Sequence, residues 1–397
     1  MNSNTGGDIS GSLHIAVLPS AEQFQTRIGS SRPLLASRVF EGKTINQVLH
    51  LVPLLYNVCG QAQSVAAVRA IENATGREAA PEIERRRELL LALEGIREHL
   101  WRFFIDWPKL LGHSTEAAHF APLNRALMQL SATLNPDKRL TTTPGLQGDD
   151  DGGTREAFAG HWHSLREDLL LQVFADTGID ATATQLPAGS AAAQLLDDVL
   201  AKGYAGLGDI ALAPLPELPD EEVTALLRGD EADQFVAYPQ WQGSSYETGP
   251  FARQATQPLS QALITQHGLG VLPRMASRLT ELLQMVQTID AWLAGASLFR
   301  ARTPEKAFGL AQLEAARGRL IHYVETDDDR ILRYRIVAPT EWNFHPQGIL
   351  ARMLDALPQQ ASASLREKAE LLISLADPCV GYSLTIHEQD TGPGAHA

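Results

Sequence analysis

The chain has 397 residues, of which 44% are hydrophobic and 20% are charged, a composition typical of a folded globular protein. Its 33 basic and 47 acidic side chains give a net charge of −14, which argues against nucleic-acid or anionic-membrane binding as its main role, because both need a basic surface. Two cysteines are too few for a disulfide scaffold, so a reducing, cytoplasmic location is expected.

The N-terminal half is predicted to be mainly helical. The opening residues MNSNTGGDISGS lack the basic and apolar regions of a signal peptide, and no run of 18 apolar residues occurs, so no membrane insertion is expected. An alternating run over 13–18, closed by Pro19, predicts a strand. Apolar residues spaced three and four apart predict three helices, over 44–55, over 61–74 with Gly76 as its end, and from Pro81 to Pro108.

The clearest break in the pattern is residues 140–154, where Gly, Pro and three consecutive Asp predict a mobile surface loop. The remaining predicted elements are helices over 155–175, 190–203 and 257–299 and strands over 320–325 and 330–338. Since no linker separates these elements, we expect one domain over 1–397, mainly α with small β elements.

The two cysteines lie 320 residues apart, each in a distinctive segment. Cys59 stands in YNVCG and is followed by Gln63, whereas Cys379 stands in DPCVGY and is followed by His387. Three further segments lie between them: TGPFAR over 248–253, EAARGRLIHY over 314–323 and PTEWNFHP over 339–346.

Together these five segments resemble the landmarks of the [NiFe] hydrogenase large-subunit family, in the family's order and across residues 42 to 387. Members carry R-x-C-G-x-C-x-x-x-H and D-P-C-x-x-C-x-x-H motifs. The four cysteine thiolates of these motifs hold nickel, and two of them also bind an iron that carries cyanide and carbon monoxide. The resemblance implies a large-subunit-like fold. It also implies that Arg317 lies over the metal site and that Thr340 faces the diatomic ligands.

The sequence departs from the family at the residues that carry its chemistry. Tyr56 and Tyr382 replace one cysteine of each pair, Gln63 replaces the first motif histidine, and His387 lies two residues beyond the place of the second. Because a phenol with a pKa near 10 is a poor ligand for soft metals, no nickel and no hydrogen activation are expected. The chain is therefore predicted not to be an enzyme.

The same departures resemble the maturation proteins of the HupK/HoxV type within this wider family. That resemblance implies a transient scaffold, in which Cys59 and Cys379 hold an Fe(CN)2(CO) fragment. Its implied partners are HypC/HypD-type carriers of the iron fragment and the hydrogenase large subunit, to which the fragment passes. Two thiolates suit a carrier, since they hold the fragment less firmly than four would.

Several alternatives remain open from the sequence. Cys59 matches an iron-bridging position but Cys379 a nickel-terminal one, so Cys59 alone could bind iron while Cys379 exchanges with a partner. The protein could also be a metal-free structural or chaperone relative that docks maturation proteins or the small subunit. Arg317 could pair with a buried carboxylate, and Tyr56 and Tyr382 could fill the space that a cysteine pair and nickel would occupy.

Overall fold

A computed structural model describes residues 11–32, 36–56, 58–148, 152–296, 309–359 and 364–387. This part of the chain is mostly helical and contains two three-stranded sheets, so the predicted mainly α class with small β elements is confirmed. The strands are β1 (Ser12–Pro19), β2 (Phe24–Ser30), β3 (Leu310–Ala315), β4 (Gly318–Asp327), β5 (Arg330–Val337) and β6 (Gly381–Ile386). The helices are α1 (Ile45–Leu55), α2 (Gly60–Thr75), α3 (Pro81–Trp101), α4 (Trp107–Leu110), α5 (Ala117–Leu134), α6 (Arg139–Thr142), α7 (Gly152–Phe174), α8 (Ala191–Ala201), α9 (Asp220–Arg228), α10 (Ala232–Ala237), α11 (Pro250–Gln254), α12 (Pro258–His267), α13 (Val271–Leu293), α14 (Pro339–Asn343), α15 (Ile349–Asp355) and α16 (Leu365–Ala376).

The first sheet joins the beginning of the described chain to its end. β1 pairs antiparallel with β2 and parallel with β6, with Leu13 opposite Tyr382. Leu13, Ile15 and Val17 alternate with more exposed residues and bury their side chains in the core, as the period of a strand requires. Because β6 begins two residues after Cys379, this sheet fixes the position of the second cysteine segment.

The second sheet, β3-β4-β5, is antiparallel and packs against α2. The buried face of α2 is rich in small side chains, including Ala66, Ala67 and Ala70, which allow the helix to approach the sheet closely. α1 packs in turn on α2. The turn between these two helices carries Cys59, so the first cysteine segment is held by this second layer.

Two long helices, α3 and α13, pack against each other in the main core. α13 is buried over most of its surface, including Arg278 and Glu281, which form ion pairs with other elements. A buried charge of this kind is tolerated only when it is paired and hydrogen-bonded. Among the described helices, none combines the length and the apolar surface that crossing a bilayer requires.

Most of the predicted elements are confirmed close to their expected bounds. Thr44 and Gln47 form a reciprocal capping box at the start of α1, in which each backbone N–H donates to the other's side chain. Gly76 ends α2 in the left-handed conformation, with φ of 65°. The strands expected over 320–325 and 330–338 are β4 and β5.

Three predicted boundaries are wrong. The third helix does not end at Pro108, because a π-helical segment (Arg102–Asp106) leads into α4, where proline occupies a first-turn position that needs no N–H donor. Gly268, with φ of 74°, divides the helix expected over 257–299. The expected loop over 140–154 is shorter, since α6 includes its first residues and α7 its last; 149–151 and 297–299 lie outside the described residues.

Candidate functional site

Cys59 lies immediately before α2, in the turn that follows α1, and its side chain does not cap the helix. The cap comes from Glu94 of α3, a buried carboxylate that accepts hydrogen bonds from the backbone N–H groups of Gln61 (2.8 Å) and Ala62 (3.1 Å). A carboxylate here also complements the positive end of the helix dipole. Glu94 therefore holds the first turn of α2 and leaves the Cys59 sulfur unused by capping.

Cys379 lies in the short connection between α16 and β6. Two residues before it, Asp377 adopts the left-handed conformation, with φ of 57°, and its buried carboxylate contacts three guanidinium groups. Arg278 donates from Nη1 over 2.7 Å, Arg317 donates from Nε over 3.0 Å, and Arg102 forms a third, shorter ion pair. Although burial opposes ionisation, these arginines hold the pKa of Asp377 well below its usual range. The network fixes the backbone that presents Cys379.

The two cysteines are free, half-buried thiols that lie close enough to act on each other electrostatically. Burial raises the pKa of the Cys59 thiol to about 12, and the neighbouring Cys379 acts in the same direction. The Oγ1 atom of Thr340 lies 3.0 Å from the Cys379 sulfur, and Nε2 of Gln63 lies 3.8 Å from the Cys59 sulfur. Each predicted metal ligand thus has a neutral hydrogen-bonding side chain at its sulfur.

Gln63 is held by a buried chain of hydrogen bonds. His322 Nε2 lies 2.8 Å from Gln63 Oε1, and His322 Nδ1 lies 2.8 Å from the Tyr334 hydroxyl. Because an amide oxygen only accepts, Nε2 carries the proton and Nδ1 accepts from the phenol. Burial lowers the pKa of His322 to about 3, so the ring is neutral at physiological pH. Each hydrogen bond in this series is therefore donated in the direction of Cys59: Tyr334 donates to His322, His322 to Gln63, and Gln63 to the Cys59 sulfur.

Arg317 has one of the two roles that the sequence left open, as the partner of buried carboxylates, and it lies beside the thiols. It pairs with buried carboxylates, donating from Nε to Asp377 and from Nη2 to Glu98 over 2.8 Å. Its remaining nitrogen, Nη1, is buried and has no hydrogen-bond partner among the described residues. Burial lowers the pKa of the guanidinium, but its two carboxylates outweigh burial, and Cys379 and Cys59 add to the rise. Arg317 is therefore a fixed cation beside both thiols, and the two N–H groups of its Nη1 atom have no partner among the described residues.

The remaining predicted site residues divide into one inside the site and two at the surface. Tyr56 is half-buried, and Cys59 and Cys379 are among the groups that, after burial itself, raise the pKa of its phenol to about 12. Tyr382 lies on β6 and is 41% exposed. His387 is exposed just past the end of the same strand. About 20 Å of extended chain separates it from Gly381, the first residue of β6. The structure thus places Tyr56, but neither Tyr382 nor His387, inside the site.

Sequence reasoning missed an ion pair at this site, formed by Arg32 and Glu341. Glu341 follows Thr340 directly, and its buried side chain contacts the half-buried guanidinium of Arg32. One signal for it was available, since Glu341 departs from the family's P-T-T-W-N segment, in which threonine occupies that position. Nothing in the local sequence marked Arg32 as the partner of Glu341 or Glu98 as the partner of Arg317.

The donor set of the site is small. In the part of the chain that the structure describes, no group of three or more His, Cys, Asp or Glu side chains is arranged to hold a metal ion. Two thiols as the only soft ligands are suited to a metal that brings further ligands of its own. A bare transition-metal ion ordinarily needs four protein ligands, or three and a water.

Residues 267–381 match the family model described as nickel-dependent hydrogenase. Two relatives are similar along nearly the whole chain. The hydrogenase expression/formation protein HoxV of Cupriavidus necator is 31% identical over 93% of this chain and 95% of the relative. The hydrogenase expression/formation protein HupK of Bradyrhizobium diazoefficiens is 32% identical over 90% of this chain and 91% of the relative.

Solved hydrogenase structures share the architecture. A [NiFeSe] hydrogenase variant from Desulfovibrio vulgaris Hildenborough gives a TM-score of 0.67 at 16% identity, covering 93% of this chain and 98% of that one. The Ni-Fe-Se hydrogenase of Desulfomicrobium baculatum gives a TM-score of 0.62 at 15% identity, covering 91% and 95%. At such identities the likeness shows the fold alone, and the predicted large-subunit-like fold is confirmed.

Proposed function

This chain belongs to the family of hydrogenase expression/formation proteins, and from that premise we propose that it is a maturation factor for a [NiFe] hydrogenase. It binds an Fe(CN)2(CO) fragment as cargo through Cys59 and Cys379 and passes it to the hydrogenase large subunit. The observation that carries the proposal is the meeting of two free thiols, from opposite ends of the chain, beside a buried guanidinium with an unused N–H.

The donor chemistry fits this cargo. Soft thiolates suit low-spin iron, and the diatomic ligands complete a coordination shell that two protein ligands alone cannot. The free Nη1 of Arg317 is a charged donor for a cyanide nitrogen, and such charge-assisted bonds are among the stronger ones in proteins. Thr340 and Gln63 supply neutral donors at the two sulfurs. The neutral thiols of the empty site lose their protons as the metal binds.

A carrier must also release its cargo. In the large subunit the iron shares its two thiolates with nickel, for which this site lacks the remaining thiolates, so insertion of nickel after transfer favours the large subunit. The proposed partners are HypC/HypD-type carriers on the loading side and the hydrogenase large subunit on the receiving side. Tyr56 stands where the family has a cysteine, so the site lacks a thiolate that nickel binding and hydrogen activation require. We therefore propose no catalytic role.

Iron content tests the proposal. The protein is purified without oxygen from cells that express the hydrogenase maturation machinery, and iron is measured by elemental analysis. We expect stoichiometric iron in the natural protein and its loss in Cys59→Ala and in Cys379→Ala. The surface variant Tyr382→Phe is the control and should retain iron. Iron retained in both cysteine variants would contradict the scaffold.

A second function, a metal-free docking relative, is favoured by one observation: the fold covers 98% of a hydrogenase chain, far beyond the surroundings of the thiols. Such a protein would bind maturation proteins or the small subunit through surfaces inherited from the large subunit. A Cys59→Ala/Cys379→Ala double variant separates the two functions. Hydrogenase maturation persists in that variant if docking is the whole function and is lost if the thiols carry iron.

A further inference from the structure

A buried tyrosine of β5, Tyr334, is linked to Cys59 through two intervening side chains. Its hydroxyl lies 2.8 Å from Nδ1 of His322, whose Nε2 atom lies 2.8 Å from Oε1 of Gln63. The Nε2 atom of Gln63 in turn lies 3.8 Å from the Cys59 sulfur. Tyr334, His322 and Gln63 are all buried, so water does not compete for these hydrogen bonds.

The direction of this series is set at its Tyr334 end. Burial raises the pKa of the phenol well above its ordinary value, so the hydroxyl keeps its proton. Nδ1 of His322 is its only hydrogen-bond partner in the described part of the chain. Because a buried hydroxyl that fails to donate costs free energy, Tyr334 donates and Nδ1 accepts. The neutral ring then carries its proton on Nε2, and the oxygen of the Gln63 amide faces His322.

An amide fixed in this way treats the two forms of the Cys59 sulfur differently. Its N–H group faces the sulfur and stabilises the negative thiolate of a metal complex. A protonated thiol needs an acceptor instead, and among the described residues the Cys59 sulfur has only the donor Nε2 of Gln63 beside it. The reversed amide would accept from the thiol. His322 would then carry its proton on Nδ1 and leave the Tyr334 hydroxyl without an acceptor.

We infer that Tyr334 is a positioning residue that acts through His322 and Gln63 to favour metal binding at Cys59. This inference rests on the proposed function, in which the Cys59 thiol gives its proton to solvent as its bond to the metal forms. Tyr334 keeps the amide oxygen away from Cys59. It thereby withholds a hydrogen bond from the metal-free thiol and preserves one for the bound thiolate.

A titration of metal-free protein with Co²⁺, whose bonds to thiolates give charge-transfer absorption, tests this inference. We expect Tyr334→Phe to bind Co²⁺ about fivefold to tenfold more weakly, because the amide can then reverse and accept from the Cys59 thiol without leaving a buried hydroxyl unpaired. The matched control is Tyr323→Phe, which removes a tyrosine hydroxyl of β4 that donates to Glu325. The control should bind Co²⁺ as the natural protein does.

A second background separates positioning from a general effect on the fold. Gln63→Leu removes the amide, so adding Tyr334→Phe to Gln63→Leu should leave the affinity for Co²⁺ unchanged. A loss of the same size in both backgrounds would overturn the role of Tyr334. Equal affinities of Tyr334→Phe and the natural protein would overturn it as well.

The proton on the His322 ring gives a readout that needs no metal. Nitrogen NMR of protein labelled in its histidine rings should show Nε2 protonated and Nδ1 unprotonated, with Nδ1 gaining the proton in Tyr334→Phe. The resonances are assigned by their loss in His322→Gln. A protonated Nδ1 in the natural protein would contradict the inference. Because neither measurement uses iron or the maturation machinery, these outcomes are separate from a failure of the proposed function, which shows as absence of iron in cells.

Discussion

The Nε atom of Arg317 donates to Oδ1 of Asp377 over 3.0 Å, although the two residues lie 60 positions apart. The pair joins the arginine above the dithiol to the backbone that presents Cys379. Asp377 holds two further arginines, so its carboxylate compensates three buried or nearly buried cations. Geometry of the site and stability of the fold therefore depend on the same side chain.

We expect Asp377→Asn to lower the free energy of unfolding by about 3 to 5 kcal/mol, because removing one partner leaves buried charges uncompensated. Urea denaturation at neutral pH measures this. The control is Asp106→Asn, which breaks a more exposed ion pair with Arg102 and should cost no more than about 1 kcal/mol. Equal small losses in both variants would contradict the role assigned to Asp377.

The buried neutral ring of His322 makes the free energy of unfolding depend on pH. Its pKa is about 3 in the folded protein, below the ordinary value of 6.5, so between these values the unfolded chain binds a proton that the folded chain does not. The stability that the neutral His322 ring contributes to the folded protein is fully present above about pH 6.5 and is lost as the pH falls towards 3. At pH 4.5 the loss is about 2 to 3 kcal/mol.

His322→Gln should therefore unfold more easily at pH 7 but lose less stability on acidification than the natural protein. Tyr334→Phe keeps His322 buried and should retain the pH dependence, because burial lowers this pKa. Urea denaturation curves at pH 7 and pH 4.5 give the comparison. Identical losses in the natural protein and in His322→Gln would be inconsistent with this explanation.

Cys59→Ala is expected to abolish hydrogenase maturation in cells without unfolding this protein. The residue is half-buried, and its sulfur neither caps α2 nor forms a disulfide, so the change in stability should stay within about 1 kcal/mol. Hydrogenase activity of the cells and thermal unfolding of the purified variant are measured together. Normal activity with the folded variant would remove the basis of the scaffold.

The two tyrosines that replace family cysteines should respond differently to restoration of the thiol. Tyr56→Cys adds a third soft ligand beside Cys59 and Cys379. It should raise the affinity of the metal-free protein for Co²⁺ roughly tenfold or more, measured by titration through the charge-transfer absorption of cobalt–thiolate bonds. Tyr382→Cys places a thiol on a solvent-exposed strand and should leave that affinity unchanged. The same gain at both positions would show that Tyr382 also reaches the site.

The sequence located the two cysteines, Arg317, Thr340 and Gln63, because each lies in a short segment with a recognisable pattern, and the structure brings these side chains to one place. Their supporting partners had no such signal. Glu98 and Arg317 lie 219 positions apart, and an ion pair over that distance depends on how α3 lies relative to the turn between β3 and β4. A sequence without an alignment does not record such packing.

The fold was predictable to a similar depth. Helices with regular apolar spacing and good caps, such as α1 and α2, appear where expected. The strand β6 was missed although Tyr382, Leu384 and Ile386 alternate with polar residues, because the run is short and most of its residues are exposed. Its place is set by pairing with β1, more than 360 positions earlier in the chain. β6 is an edge strand of that sheet, and Tyr382 and His387 lie at the surface.

The most direct test of the scaffold is an infrared spectrum of the protein purified without oxygen from cells with the maturation machinery. Cyanide and carbonyl stretches fall where polypeptides do not absorb. We expect both kinds of band in the natural protein, their loss in Cys59→Ala and Cys379→Ala, and their retention in Tyr382→Phe. A spectrum without these bands, from protein that contains no iron, would contradict the scaffold and leave a metal-free docking protein.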